Sequence, residues 1–141
     1  MKQKVLNYIS FLTLLIAFLL SGLITFWLVF PYKVLVLNST PFPVSEKRVR
    51  PGETLAYTVD YCKYMNIEVF ISRTFNDQIN FGVPGIINNR EKGCHKVNFE
   101  IQIPKTLPSS TYTLDLVYRY KVNPLRTIEY NVKTEPFEVI K

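Results

Sequence analysis

Residues 5–30, VLNYISFLTLLIAFLLSGLITFWLVF, contain no charged side chain. No other feature of the chain restricts its fold as strongly. At about 1.5 Å per residue a helix over this run reaches roughly 39 Å, more than a hydrocarbon core of about 30 Å. A secretory signal would have an apolar stretch of only about 7–15 residues ending in small residues. This run is longer, closes on Trp27-Leu28-Val29-Phe30-Pro31, and its LLSGL segment lacks the cysteine of a lipoprotein signal. It reads as an uncleaved anchor over residues 5–31, with a cytoplasmic tail at 1–4 and an extracytoplasmic domain at 32–141. Lys2 and Lys4 precede the run and Lys33 alone opens the far side, so the positive-inside bias puts the amino terminus in the cytoplasm. Tyr8 at one end, and Trp27 and Tyr32 at the other, suit the interfacial belts. Pro31 stops the helix because proline has no N–H to continue the ladder.

Ser10, Thr13, Ala17, Ser21 and Thr25 recur at helical spacing and share one face of the anchor. Small residues let two backbones approach in lipid, so this stripe is the candidate for self-association and a homo-oligomer.

Of 17 basic residues, Lys2 and Lys4 lie before the run; the other 15 and all 11 acidic residues follow it, for a net charge of about +4. That mild excess has no dense basic stripe, so nucleic acid is not an expected partner. After residue 33 the apolar period is two. Leu55, Tyr57, Val59 and Tyr61 alternate with polar or small residues, as do Ile67, Val69 and Ile71. Val97, Phe99, Ile101 and Ile103 do the same, and so do the even-numbered residues of 112–122 and 128–132. These are half-buried strands. The expected set is A within 33–49, broken at Pro41 and Pro43, B 53–61, C 67–73, D 78–83, E 95–103, F 111–121 and G 126–133. An extended segment at 137–140 trails them. RPGE (50–53), FNDQ (75–78), PKTLPSS (104–110) and VNPLR (122–126) supply the turns. Seven short strands in about 100 residues imply an all-β sandwich of two antiparallel sheets behind one transmembrane helix.

VRPGETLAYTVDY resembles the A–B segment of bacterial immunoglobulin-like domains. IPKTLPSSTYTLDLVYRY resembles their E–F corner, with Tyr112 at the corner-tyrosine position. The likeness covers residues 44–133. The one-anchor, one-domain layout is similar to small membrane proteins of bacteria and their phages. The resemblance implies an immunoglobulin-like fold and no particular activity.

Cys62 and Cys94 are the two cysteines. Both have the parity opposite to the apolar set of their strands, so both point away from the core. With sheet order A-B-E-D, the end of B lies beside the start of E, which brings the two side by side. In an oxidising compartment they are expected to pair. A nucleophile would need a base, and His95, the only histidine, faces the opposite way from its neighbour; a zinc site needs about four ligands. No catalytic set, metal site, phosphate loop or cofactor motif is present, so the chain is not expected to be an enzyme.

If each strand reverses direction from the membrane, the B–C, D–E and F–G connections return to it. Lys63, Tyr64, Ile86, Ile87, Arg90, Lys92, Leu125 and Arg126 are then candidates for contact with lipid or a partner. The loops at 46–53, 76–77 and 104–110 form the distal end. Asn38-Ser39-Thr40 matches a glycosylation acceptor, which has no consequence in a bacterial or phage protein. Three functions fit: an envelope or virion-membrane protein that binds another protein, an assembly accessory that acts by strand addition through strand A or residues 134–141, and a ligand-binding module.

Overall fold

A computed structural model describes residues 2–77 and 80–141. Gln78 and Ile79, which open the expected strand D and close the expected FNDQ turn, lie outside the described residues. The chain divides into two compact units, 1–32 with 123–126, and 33–122 with 127–141.

In the first unit α1 spans Lys2–Val29, and its Leu6–Val29 segment is long and apolar enough to cross a membrane. None of that apolar window is buried. Ser10, Thr13, Ala17, Ser21 and Thr25 are all exposed. The hydroxyls of Thr13 and Thr25 donate to carbonyls of their own helix, at Ile9 (2.9 Å) and Ser21 (2.8 Å). They are thereby satisfied without a second chain. A helix leaves its last four carbonyls without intrahelical partners. Here Asn123 Nδ2 donates to the Trp27 carbonyl (2.8 Å), and Arg126 Nη1 donates to those of Leu28 (3.0 Å) and Phe30 (2.8 Å).

The second unit contains two sheets. One has the order β1-β3-β6, from Leu35–Leu37, Thr54–Lys63 and Gly93–Gln102. The other has the order β2-β9-β7-β4-β5, from Arg48–Val49, Phe137–Val139, Ser110–Asn123, Val69–Asn76 and Phe81–Asn88. β8, Arg126–Lys133, also pairs with β7. The alternation read from sequence fills the interior: Leu55, Tyr57, Val59 and Tyr61 of β3 are buried, as are Tyr112, Leu114, Leu116, Tyr118 and Tyr120 of β7. Phe42 meets the Tyr118 ring edge-on at 6.5 Å between centroids. The Tyr112 hydroxyl donates to the Pro108 carbonyl (3.1 Å), tying the strand start to the loop before it.

Three expectations are corrected. The expected strand D runs over 81–88 and pairs with β4, not within the A-B-E sheet. The connection after Asn76 is short, and a short link favours an antiparallel hairpin. The trailing segment is no open edge: β9 pairs antiparallel with β7 and parallel with β2. Strand A is broken as expected, dividing among β1, β2 and single bridges at Phe42 and Val44. Tyr130, expected inside, is 51% exposed. β4 follows β7 only as far as Arg119, so the far part of the β7–β8 ribbon outruns its neighbour.

Three buried tyrosine hydroxyls, those of Tyr57, Tyr61 and Tyr118, have no hydrogen-bond partner among the described residues. Burial pushes the Tyr118 hydroxyl pKa far up, and the neighbouring Tyr57 and Tyr61 add to this. An unpaired buried hydroxyl costs about 1–3 kcal/mol of lost hydration. Tyr118→Phe is therefore expected to raise stability by about 1 kcal/mol in urea unfolding. A loss of that size would show that the hydroxyl is bonded.

Candidate functional site

The β3–β6 ladder runs in register through ten residue pairs, from Thr54↔Gln102 to Lys63↔Gly93. Cys62 faces Cys94 directly, and the two form a disulfide with Cα atoms 3.9 Å apart. Two Cα atoms this close mark a pair that exchanges no backbone bonds. At the other end of the ladder Ile103 does exchange bonds, its N–H donating to Glu53 O (2.8 Å) and its carbonyl accepting from Gly52 (2.9 Å). Antiparallel pairs alternate strictly, so odd-numbered residues of β6 bond β3. The even-numbered Cys94, Lys96, Asn98, Glu100 and Gln102 turn their N–H and C=O groups outward. β6 pairs on one side only, so this row is unpaired among the described strands.

β5 is the edge of the other sheet, and it differs. Its register to β4 slips between Ile71↔Ile86 and Arg73↔Val83, an extra residue in β5 at Pro84-Gly85. Proline has no N–H to offer an incoming strand, and a bulge twists the edge away. Gly85 is required by space: a Cβ there would lie 2.8 Å from Phe70 Cζ and 3.0 Å from Ile71 O.

Between these edges lies a cleft of about 590 Å³, lined by Arg73, Val83, Pro84, Glu100, Ile103 and Lys105 among others. Arg73 is 8% exposed. Its Nε and Nη2 both donate to the Pro84 carbonyl, at 3.0 and 2.6 Å, so the bulge turns a ladder carbonyl inward to meet the cation. Burial raises the pKa of the Tyr57 hydroxyl, and the Arg73 charge nearby partly offsets this. Arg73 was missed because strand C was expected to end there. Its parity, shared with Val69, Ile71 and Phe75, was the signal.

The expected contact residues separate. Lys63 is 2% exposed, which removes it as a surface contact. β3 continues to Lys63, so its odd number gives it the inward parity of Tyr61. Its ammonium donates to the carbonyls of Arg90 (2.7 Å) and Asn88 (3.4 Å). Burial lowers its pKa, and Glu68 opposes this. Ile86 and Ile87 belong to β5 and not to a connection. Ile87 is exposed and stands opposite exposed Phe70. Tyr64 carries Lys33 over its ring at 4.4 Å. Arg90 and Lys92 are exposed, and the Lys92 N–H donates to Asn66 (3.1 Å). Leu125 and Arg126 fall in the first unit, where Arg126 bonds the helix end. Among the described residues no group of acidic, histidine or cysteine side chains could hold a metal ion.

No protein-family model matches the chain, and no curated protein matches it. Among solved structures, a mutant β-glucosidase from Listeria innocua in complex with laminaribiose is similar over 77% of this chain, with 13% identity and a TM-score of 0.43. The sporulation control protein Spo0M from Bacillus subtilis is similar over 73%, with 11% identity and a TM-score of 0.40. The chain spans 17% of the first protein's length and 49% of the second's. At these TM-scores neither likeness bears on the fold or activity of this chain; what stands is a β-rich domain of two sheets, with a disulfide, preceded by an apolar helix.

Proposed function

We propose that the chain is a single-pass, non-enzymatic protein of an envelope or virion membrane. Its immunoglobulin-like domain lies outside the cytoplasm and binds another protein, taking an extended segment of that partner along β6. The carrying observation is the β6 edge, ten residues in unbroken register with β3 and unpaired on its other side. Strand addition to such an edge draws affinity from main-chain hydrogen bonds and specificity from alternate side chains. The blocked β5 edge beside it leaves β6 as the preferred row. The exposed apolar helix supports the anchor, the disulfide supports an oxidising compartment, and the Tyr112 contact supports the immunoglobulin-like class. The same edge also suits an assembly accessory that shields a partner's strand and later releases it.

Photocrosslinking from Asn98 in carbonate-washed membranes tests the proposal. A specific adduct is expected, and Lys96→Pro should abolish it without unfolding the domain. Lys96 is even-numbered, so its N–H serves only an incoming strand. An adduct that survives Lys96→Pro, or that forms equally from Ile87 on β5, would rule out pairing along β6.

A further inference from the structure

Arg73 is an expensive residue in its position. A guanidinium taken out of water costs several kcal/mol unless a counter-charge and hydrogen bonds compensate it. Among the described residues Arg73 has no carboxylate partner; the ion pairs are Arg48–Glu138, Arg119–Glu129 and Lys133–Asp115. Glu100 lines the same cleft yet makes no ion pair with it. Arg73 spends two of its nitrogens, Nε and Nη2, on one carbonyl. That leaves the Nη1–Nη2 end of the fork without a protein partner among the described residues. A buried cation thus lines the cleft with no carboxylate of the described residues paired to it. The cleft volume falls within the roughly 300–1,000 Å³ of small-ligand pockets, and Val83, Pro84 and Ile103 give it apolar walls.

We propose that the cleft between β5 and β6 binds a carboxylate. Arg73 anchors it through the free end of its fork, and the apolar walls take the short carbon chain that carries the acid. The end-on fork matches the two oxygens of a carboxylate. The bulge at Pro84-Gly85 holds the guanidinium by its other edge and so orients it. This site does not depend on anchoring or on strand pairing, so either reading can fail without the other.

The test uses the full chain in detergent micelles with the arginine side chains labelled for NMR. The Arg73 Nε–H signal, identified by its loss in Arg73→Lys, is followed while N-acetylglutamate N-methylamide is added. The neutral glutamine analogue and glutarate are added in parallel. A saturable shift is expected with the glutamate compound, at Kd values of about 1–10 mM for one anchored group. The glutamine analogue should give none. A response to glutarate but not to the blocked glutamate would assign the site to a free small acid; the reverse would assign it to an acidic side chain. Glu100→Gln, on the rim, should tighten binding about two- to fivefold by removing a like charge. Arg73→Met should abolish binding and keep the unfolding midpoint, because replacing a buried unpaired charge by an apolar group is often neutral or stabilising. No Arg73 shift up to about 50 mM, far above any useful single-group affinity, would overturn the site. So would an equal shift with the glutamine analogue, unchanged affinity in Glu100→Gln, or a large stability loss in Arg73→Met, which would make Arg73 a strut for the bulge.

Discussion

Joint replacement of Cys62 and Cys94 by serine is expected to destabilise the β domain by about 3.5–4 kcal/mol, the chain-entropy value for a closed loop of this length. The bond joins residues 32 apart in sequence. Between them run β4 and β5, a hairpin that belongs to the opposite sheet. The loop it closes therefore leaves the β3–β6 ladder, builds the edge of the other sheet and returns. The ladder alone constrains this loop only in the folded state, whereas the disulfide constrains it in the unfolded state too. For a domain with about 5–10 kcal/mol in all, the loss is a large share. Urea unfolding followed by tyrosine circular dichroism would read it, and reductant added to the natural protein should reproduce the variant. A change below about 1 kcal/mol in both experiments would mean that the unfolded chain gains no freedom when the bond is opened.

Phe137→Ala is the second large effect, with an expected cost of about 3–5 kcal/mol. Phe137 is 1% exposed and belongs to a strand of three residues. Its ring meets Phe75 of β4 edge-on at 6.0 Å and lies 6.5 Å from Tyr112 of β7. Truncation empties the space between two strands of one sheet, and it loosens the strand that, among the described residues, pairs with β2. The cavity and the lost pairing add in one direction. Thermal unfolding of the full chain should show a lower midpoint, and hydrogen exchange should show early opening of residues 48–49. A loss under about 1 kcal/mol would mean that β9 is an appendage and not part of the core.

Period-two patterning located most strands to within a few residues, since a half-buried sheet imposes alternation on each strand separately. Parity also placed Cys62 and Cys94 on one face, because the side chains of a ladder cannot change face without a slip in register. Which strands share a sheet is not a property of any one strand. β5 joined β4 because of the short link between them, and β9 found β2 across some ninety positions of sequence (Arg48↔Glu138). The pattern also failed at its boundaries. Ending the second strand at Tyr61 and the third at Arg73 left two inward cations, Lys63 and Arg73, assigned to loop or overlooked. Both lie on the correct parity, but a basic residue at the end of an apolar run reads as a boundary. The cleft depends on a bulge between two edges, and that has no signature beyond the Pro84-Gly85 dipeptide.

The parallel pairing of β2 with β9 has a consequence for biogenesis. A chain emerging amino-terminus first delivers Arg48 and Val49 long before Glu138 and Val139. Throughout that interval β3 and β6 can assemble and the cysteines can meet, while β2 still lacks its neighbour. The domain therefore closes late and from its far end. Substitutions in residues 137–139 should act on the yield of mature protein before they act on anything it binds.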